Sequence, residues 1–175
     1  EEHRLSRYVE IITRHQPGGP YRLFGFSAAG KLTFEVARAL ENHGLEVSDI
    51  ILVDCFWPPD NRDVEVPKAA LKNMETYLDD LGVGYLKEKI TGKTKEYRKY
   101  FTNERRPEVV NANVHLILSE ENRDTPQAGC WDEFTTKTVR IYQGLGTHNE
   151  MLYTDVVEKN AEIIREILAN YFLQD

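Results

Sequence analysis

The apolar run Tyr21 to Phe26 passes through Gly25-Phe26-Ser27-Ala28-Ala29-Gly30 directly into a helical pattern, with Leu32, Val36, Ala37 and Leu40 on one face. A strand that turns into a helix within three small residues is the first half of a βα unit, and such units build layered α/β folds. In that turn a serine is lifted clear of its sheet, and the first free N–H groups of the helix face incoming negative charge. Ser27 is therefore the candidate nucleophile. The pattern departs from G-x-S-x-G, because Ala29 holds the fifth position and the glycine comes one place later. The same residues also suit a plain helix N-cap, in which a serine hydroxyl accepts from an orphan amide. The motif alone leaves both readings open.

The rest of the chain alternates helix and strand patterns. Glu2 to His15 carries Leu5, Val9 and Ile12 at helical spacing and is stopped by Gln16-Pro17-Gly18-Gly19-Pro20. Ala29 to Asn42 is the helix after the elbow, closed by His43-Gly44. Ser48 to Asp54 follows as a strand whose continuous Ile50-Ile51-Leu52-Val53 suits burial on both faces of a parallel sheet. Val64 to about Pro107 reads as helices, Lys68 to Leu81 and Tyr85 to Phe101, without a strong apolar stripe; this is an insertion over the sheet edge, and such insertions act as lids. Val114 to Leu118 and Val139 to Gln143 are further strands, Trp131 to Thr135 a short helix or turn, and Asp155 to Phe172 a closing helix with Val156, Ile163, Ile167 and Tyr171 inward. The sum is an α/β fold with a mostly parallel sheet, flanking helices and a helical lid at about 58–110. The first strand has nothing before it to cover its far edge. The sequence thus predicts upstream strands, absent here, with residues 1–175 forming the carboxyl-terminal part of a larger domain.

Two more residues complete a chemical constellation. The second strand ends in Asp54, and the last runs into Gly144-Leu145-Gly146-Thr147-His148. Ser, Asp and His then occur in the chain order of α/β hydrolases, each just past the carboxyl end of a strand, and in a parallel sheet those ends share one edge. Separately, Asp54 also reads as a strand-end turn residue, and His148 as a group that stabilises a Gly-rich turn. His3, His15, His43 and His115 have no such setting and read as surface or helix-end groups. Cys55, beside Asp54, lacks an elbow of small residues and reads as a packed thiol. Phe56, Trp57, Tyr85 and Trp131 could line an acyl pocket or simply pack in a core.

Charge narrows the function. A net charge of −7 argues against a nucleic-acid binder, which needs a basic surface to neutralise phosphates. The stretch Lys87 to Arg106 is locally basic and suits either an acidic partner or a solvated helix face. Cys55 and Cys130 lie far apart, with neither a disulfide framework nor zinc-site spacing, which points to a reduced, cytoplasmic compartment without a metal. No apolar run approaches the roughly 18–20 residues of a membrane span, and the polar start is no signal peptide.

Tyr21 to Ala37, with its Gly25-Phe26-Ser27-Ala28-Ala29-Gly30 core, then Ile51-Leu52-Val53-Asp54, then Gly146-Thr147-His148-Asn149-Glu150-Met151-Leu152, together resemble the terminal thioesterase domains of nonribosomal peptide synthetases of the surfactin and fengycin type. The resemblance runs along the whole chain and is weakest over Trp57 to Val110. It implies an α/β-hydrolase fold and a peptidyl thioester substrate delivered on the phosphopantetheine arm of a neighbouring peptidyl carrier domain, with no cofactor bound by the chain itself. It implies Ser27 as nucleophile, Asp54 as acid, His148 as base and the Ala28 amide as an oxyanion-hole donor, with the second donor upstream of Glu1. Release of the peptide by macrocyclisation or hydrolysis is the implied activity. A stand-alone editing thioesterase or other serine esterase, and an inactive hydrolase-like binding module, are the alternatives.

Overall fold

The computed structural model describes residues 2–56, 76, 78–80, 82–101, 108–124 and 131–169. Four strands, β1 (Tyr21–Phe26), β2 (Val47–Val53), β3 (Asn113–Leu118) and β4 (Val139–Gln143), form one parallel sheet in that order. Helices α1 (Glu2–His15) and α2 (Ala29–Asn42) precede and follow β1, and α4 (Thr154–Ala169) follows β4. The strand boundaries expected for β1 and β4 and the bounds of α1 and α2 match the sequence reading; β2 and β3 each begin one residue earlier.

Helices α2 and α4 pack their apolar stripes on opposite faces of the sheet. The α2 side holds Phe34, Ala37 and Leu40 against Ile50, Leu52, Val114 and Leu116, with Val9 of α1 and with Trp131 stacked on Phe34 at 4.7 Å between ring centroids. The opposite face buries Ile51, Val53, Ile117 and Met151 under Ile163, Ile164, Ile167 and Leu168 of α4. Alternate residues of β2 thus serve opposite layers, as a strand covered on both faces requires, and every residue of β2 is buried. Trp131 is core, not pocket, and donates its indole N–H to the Cys55 carbonyl at 3.0 Å. The expected inward Tyr171 lies outside the described residues.

Helix α2 ends where the sequence placed its stop. Gly44 adopts φ +73°, the left-handed conformation that glycine takes without steric cost. The N–H of Leu45 then reaches the Leu40 carbonyl, and that of Gly44 the Glu41 carbonyl, a Schellman closure.

His115 corrects an expectation. It is buried within the sheet, where Nε2 lies 3.1 Å from Asp49 Oδ1 and Nδ1 3.1 Å from the Tyr142 hydroxyl. Arg22 Nε sits 3.6 Å from Asp49 Oδ2, so a polar ladder crosses all four strands on the α4 face. Position-by-position reading of a lone histidine missed this because its partners come from other strands.

Residues Pro58–Arg106 form a compact unit of their own, distinct from the unit of Glu1–Trp57 and Pro107–Asp175. Its described part is the end of a helix at 78–80, a 3-10 turn at Gly84–Leu86 and helix α3 (Lys87–Phe101). The expected helix from Tyr85 therefore opens with a 3-10 turn, and most of the expected helix at Lys68 to Leu81 lies outside the described residues. Within the basic stretch, Lys87 pairs with Asp79 and Lys93 with Glu96. Tyr85 is exposed and lines no core. Among the described residues no helix is long and apolar enough to cross a membrane.

Candidate active site

The sheet register sets the stage. Phe26 is level with Val53, Val53 with Ile117, and Leu118 with Gln143, so the carboxyl ends of all four strands lie along one edge. The residues just beyond them continue the ladder for one more bond: Ser27 N–H to Val53 O at 2.9 Å, Asp54 N–H to Ile117 O at 2.8 Å, and Gly144 N–H to Leu118 O at 2.8 Å. Ser27, Asp54 and the loop that carries His148 therefore leave the sheet along this one edge, after β1, β2 and β4.

Two of these residues are conformationally marked. Ser27 has φ +54° and Asp54 φ +49°, and among the described residues they are the two non-glycine positions at positive φ. A non-glycine residue held there costs on the order of 1–3 kcal/mol and persists where the surroundings over-determine it. At Ser27 they do so through the bond to Val53 and the turn bond from Gly30 N–H to Ser27 O, 3.2 Å. The N-cap position of α2 falls on Ala28, with no side-chain cap bond. The plain N-cap reading of Ser27 is thus not the one the backbone adopts. Ala28 stands at the amino end of α2, where the helix dipole favours negative charge.

The displaced glycine has a steric reason. A Cβ on Gly30 would sit 2.8 Å from Cys55 Cβ and 3.0 Å from its Sγ, so α2 can approach the strand end only with glycine at this position. The approach falls on residue 30, and Ala29 opens the helix. Cys55 is buried, its thiol directed to the Gly25 and Val53 carbonyls at 3.4 and 3.3 Å. Burial, with Asp54 alongside, pushes its thiol pKa far up, which suits packing and not nucleophilic attack.

Asp54 and His148 form a direct pair. His148 Nδ1 lies 2.7 Å from Asp54 Oδ2; the carboxylate is fully buried, and the imidazole is about a third exposed. With Nδ1–H donated to the carboxylate, Nε2 is left as the acceptor. The face of the imidazole stacks on Phe26, centroids 5.0 Å apart and planes 20° from parallel. Phe26 immediately precedes Ser27, so the imidazole lies against the residue that leads into the serine turn. Asp54 also accepts from Ser119 N–H at 2.9 Å and from Asn122 Nδ2 at 2.8 Å. The His148 loop is held by Glu121, whose Oε1 accepts the His148 N–H at 2.8 Å, and by Glu150, whose carboxyl accepts from the Thr147 N–H and hydroxyl and is held below its usual range by those bonds. Asn160 of α4 clamps the loop from behind.

Phe26, Ser119, Glu121, Asn122 and Asn160 escaped the sequence reading. One signal was present: Ser119-Glu120-Glu121-Asn122 is a polar cluster just past the carboxyl end of β3, on the same edge as Asp54 and the His148 loop. Among the described residues no group of His, Cys, Asp or Glu side chains could hold a metal ion.

A strained serine elbow, a buried carboxylate bonded to an imidazole, and a parallel sheet whose carboxyl edge gathers them define the chain as an α/β hydrolase in architecture. It belongs to the thioesterase domain family, whose profile matches residues 4–168. It is 37% identical over 174 residues to surfactin synthase subunit 3 of Bacillus subtilis (strain 168), and 31% identical over 198 residues to tyrocidine synthase 3 of Brevibacillus parabrevis. Those alignments cover 96% and 99% of this chain but only 14% and 3% of the synthases, so the chain spans a small part of the curated relatives it matches. Among solved structures it is similar to the thioesterase domain SrfTE, described for cyclization of the lipopeptide antibiotic surfactin, with TM-score 0.75, 33% identity, and coverage of 96% of this chain and 76% of that one. It is also similar to the NocB thioesterase domain in covalent complex with a fluorophosphonate nocardicin G analog, with TM-score 0.71, 25% identity, and coverage of 95% and 74%.

Proposed function

We propose that this chain releases a peptidyl or lipopeptidyl chain from the phosphopantetheine thioester of a peptidyl carrier domain in a cytoplasmic synthetase, through an acyl-Ser27 ester. The observation that carries this reading is the Asp54–His148 bond at 2.7 Å, with the imidazole stacked on the residue before a positive-φ serine. Similarity to the surfactin and tyrocidine synthases supplies the substrate class.

The chemistry is acyl transfer in two steps. His148 Nε2 takes the Ser27 proton as the hydroxyl oxygen attacks the thioester carbonyl; the C–S bond breaks, and the carrier arm leaves as a thiol with the proton returned by the imidazolium. Asp54 holds the tautomer and stabilises the imidazolium between the two transfers. The Ala28 N–H, at the amino end of α2, donates to the developing oxyanion, and a donor of this kind contributes about 10²–10³ in turnover. A hydroxyl or amine of the same peptide, or water, then attacks the ester with His148 again as base, giving a macrocycle or a free acid. The compact segment 58–106, inserted after the acid-bearing strand, is the lid in this reading, and a dry lid favours cyclisation.

The test is turnover of a peptidyl-pantetheine thioester by the wild-type chain and by Ser27→Ala, followed by thiol release. The proposal expects release to fall at least about 10³-fold in the variant. Equal release by the two would refute it.

A further inference from the structure

The turn after β3 belongs to none of the three residues assigned to chemistry, yet it touches two of them. Ser119 N–H binds Asp54 Oδ1 at 2.9 Å, and Asn122 Nδ2 binds Asp54 Oδ2 at 2.8 Å and Ser119 Oγ at 3.1 Å. From the same turn, Glu121 Oε1 accepts the His148 N–H at 2.8 Å, and the Glu120 N–H donates to Gly146 O at 3.0 Å. We propose that Asn122 is a positioning residue for the base: it fixes the rotation of the Asp54 carboxyl group, and through it the Nδ1–H bond that orients His148. This rests on the assignment of Asp54 and His148 made above.

The terminal torsion of an aspartate is broad, so a carboxylate keeps one orientation only where donors hold both oxygens. Asp54 is closed off from water, which removes solvent as a substitute donor. A backbone N–H holds Oδ1, and Oδ2 receives two donors, the imidazole and the asparagine amide, which use its two in-plane lone pairs. The amide is itself oriented, because its second hydrogen goes to Ser119 Oγ. A neutral, short, rigid donor suits the place. A lysine or arginine would compete with the imidazole for the carboxylate's charge, and an aspartate would set a second anion against it. The turn also holds the loop that carries His148, so acid and base are referenced to the same four residues.

The experiment uses the chain as it exists, with Asn122→Leu, Asn122→Asp and Asn122→Gln. Two readouts are taken: exchange with water of the His148 Nδ1–H resonance by proton NMR, and kcat and KM on a soluble acyl thioester. The expected result is exchange at least about tenfold faster in the Leu and Asp variants, kcat down about tenfold or more with KM within twofold, and partial recovery in Asn122→Gln, which keeps the amide. An Nδ1–H resonance as protected as in wild type, with kcat unchanged, would overturn the proposal. So would failure of both the Leu and Asp variants to fold, since Asn122 would then serve the fold and not the base. A fluorophosphonate adduct on wild-type Ser27 separates the two levels. With no adduct the triad itself fails; with an adduct and unmoved variants, only the role of Asn122 fails.

Discussion

Replacing Asn160 by leucine should loosen the loop that carries His148 while leaving the sheet in place. Asn160 is buried in α4, and its amide makes three bonds: Oδ1 accepts the Leu145 N–H at 2.8 Å, and Nδ2 donates to the Leu145 and Met151 carbonyls at 3.0 and 2.9 Å. His148 sits between the two anchors. Leucine fills a similar volume, so the change removes bonds without opening a cavity. At about 1 kcal/mol net per bond, the loss is about 3 kcal/mol, and more where a buried carbonyl is left unpaired. With a urea slope of about 2 kcal/mol/M for a chain of this size, the unfolding midpoint should fall by about 1.5 M with an unchanged slope. Because the opened segment holds His148, the proposed base, kcat on a soluble thioester should fall more steeply than KM rises. Far-ultraviolet circular dichroism against urea, with steady-state kinetics on the same sample, reads both. A midpoint shift below about 0.5 M, or a loss confined to KM, would refute the reasoning.

Three further outcomes follow from the same geometry. Burial alone would raise the Asp49 carboxyl, but its hydrogen bonds to His115, Ser48 and Asn113 and the charge of His115 outweigh that and hold it below its usual value. A depressed acid stabilises the fold above its unfolded pKa and loses that contribution as pH falls through the folded one, so Asp49→Asn should flatten the loss of stability below about pH 4 in denaturation curves taken across pH. Phe26→Ala removes the ring against which His148 stacks and which also packs on the core layer of Ile51, Val53 and Ile117, so it should lower both kcat, about tenfold, and the melting temperature, read by kinetics and calorimetry at a temperature where the variant is folded. Reversing the charges of Lys93, Lys95 and Lys99 together should raise KM for a carrier-bound thioester, more at low salt than at high, and spare a small soluble thioester; an equal effect on both substrates would assign these residues to the fold of their own unit.

The sheet was legible because its strands announce themselves locally. Ile50-Ile51-Leu52-Val53 is apolar without interruption, and three of the four strands run into a residue, Ser27, Asp54 or Gly144, that breaks the pattern. Ser27, Asp54 and His148 could be nominated from chain order and strand ends alone, since the topology of a parallel sheet brings those ends together. Contacts that join two distant strands were not legible. His115 looked like a surface group until Asp49 and Tyr142 supplied its partners from neighbouring strands. Asn122 and Glu121 drew no reading at all, because a turn's own sequence does not say which carboxylate or amide it will meet. The steric need for glycine at 30, where the motif has it at 29, likewise depends on where Cys55 packs.

Whether Ser27 carries the acyl group is read by tandem mass spectrometry of the chain after brief exposure to a peptidyl-mimetic fluorophosphonate, with Ser27→Ala, His148→Ala and Cys55→Ala treated in parallel. The expected result is one adduct, on Ser27, absent in Ser27→Ala, formed at least about 10²-fold more slowly in His148→Ala and unchanged in Cys55→Ala. An adduct that survives in Ser27→Ala, or that maps to Cys55 or any other residue, would contradict it.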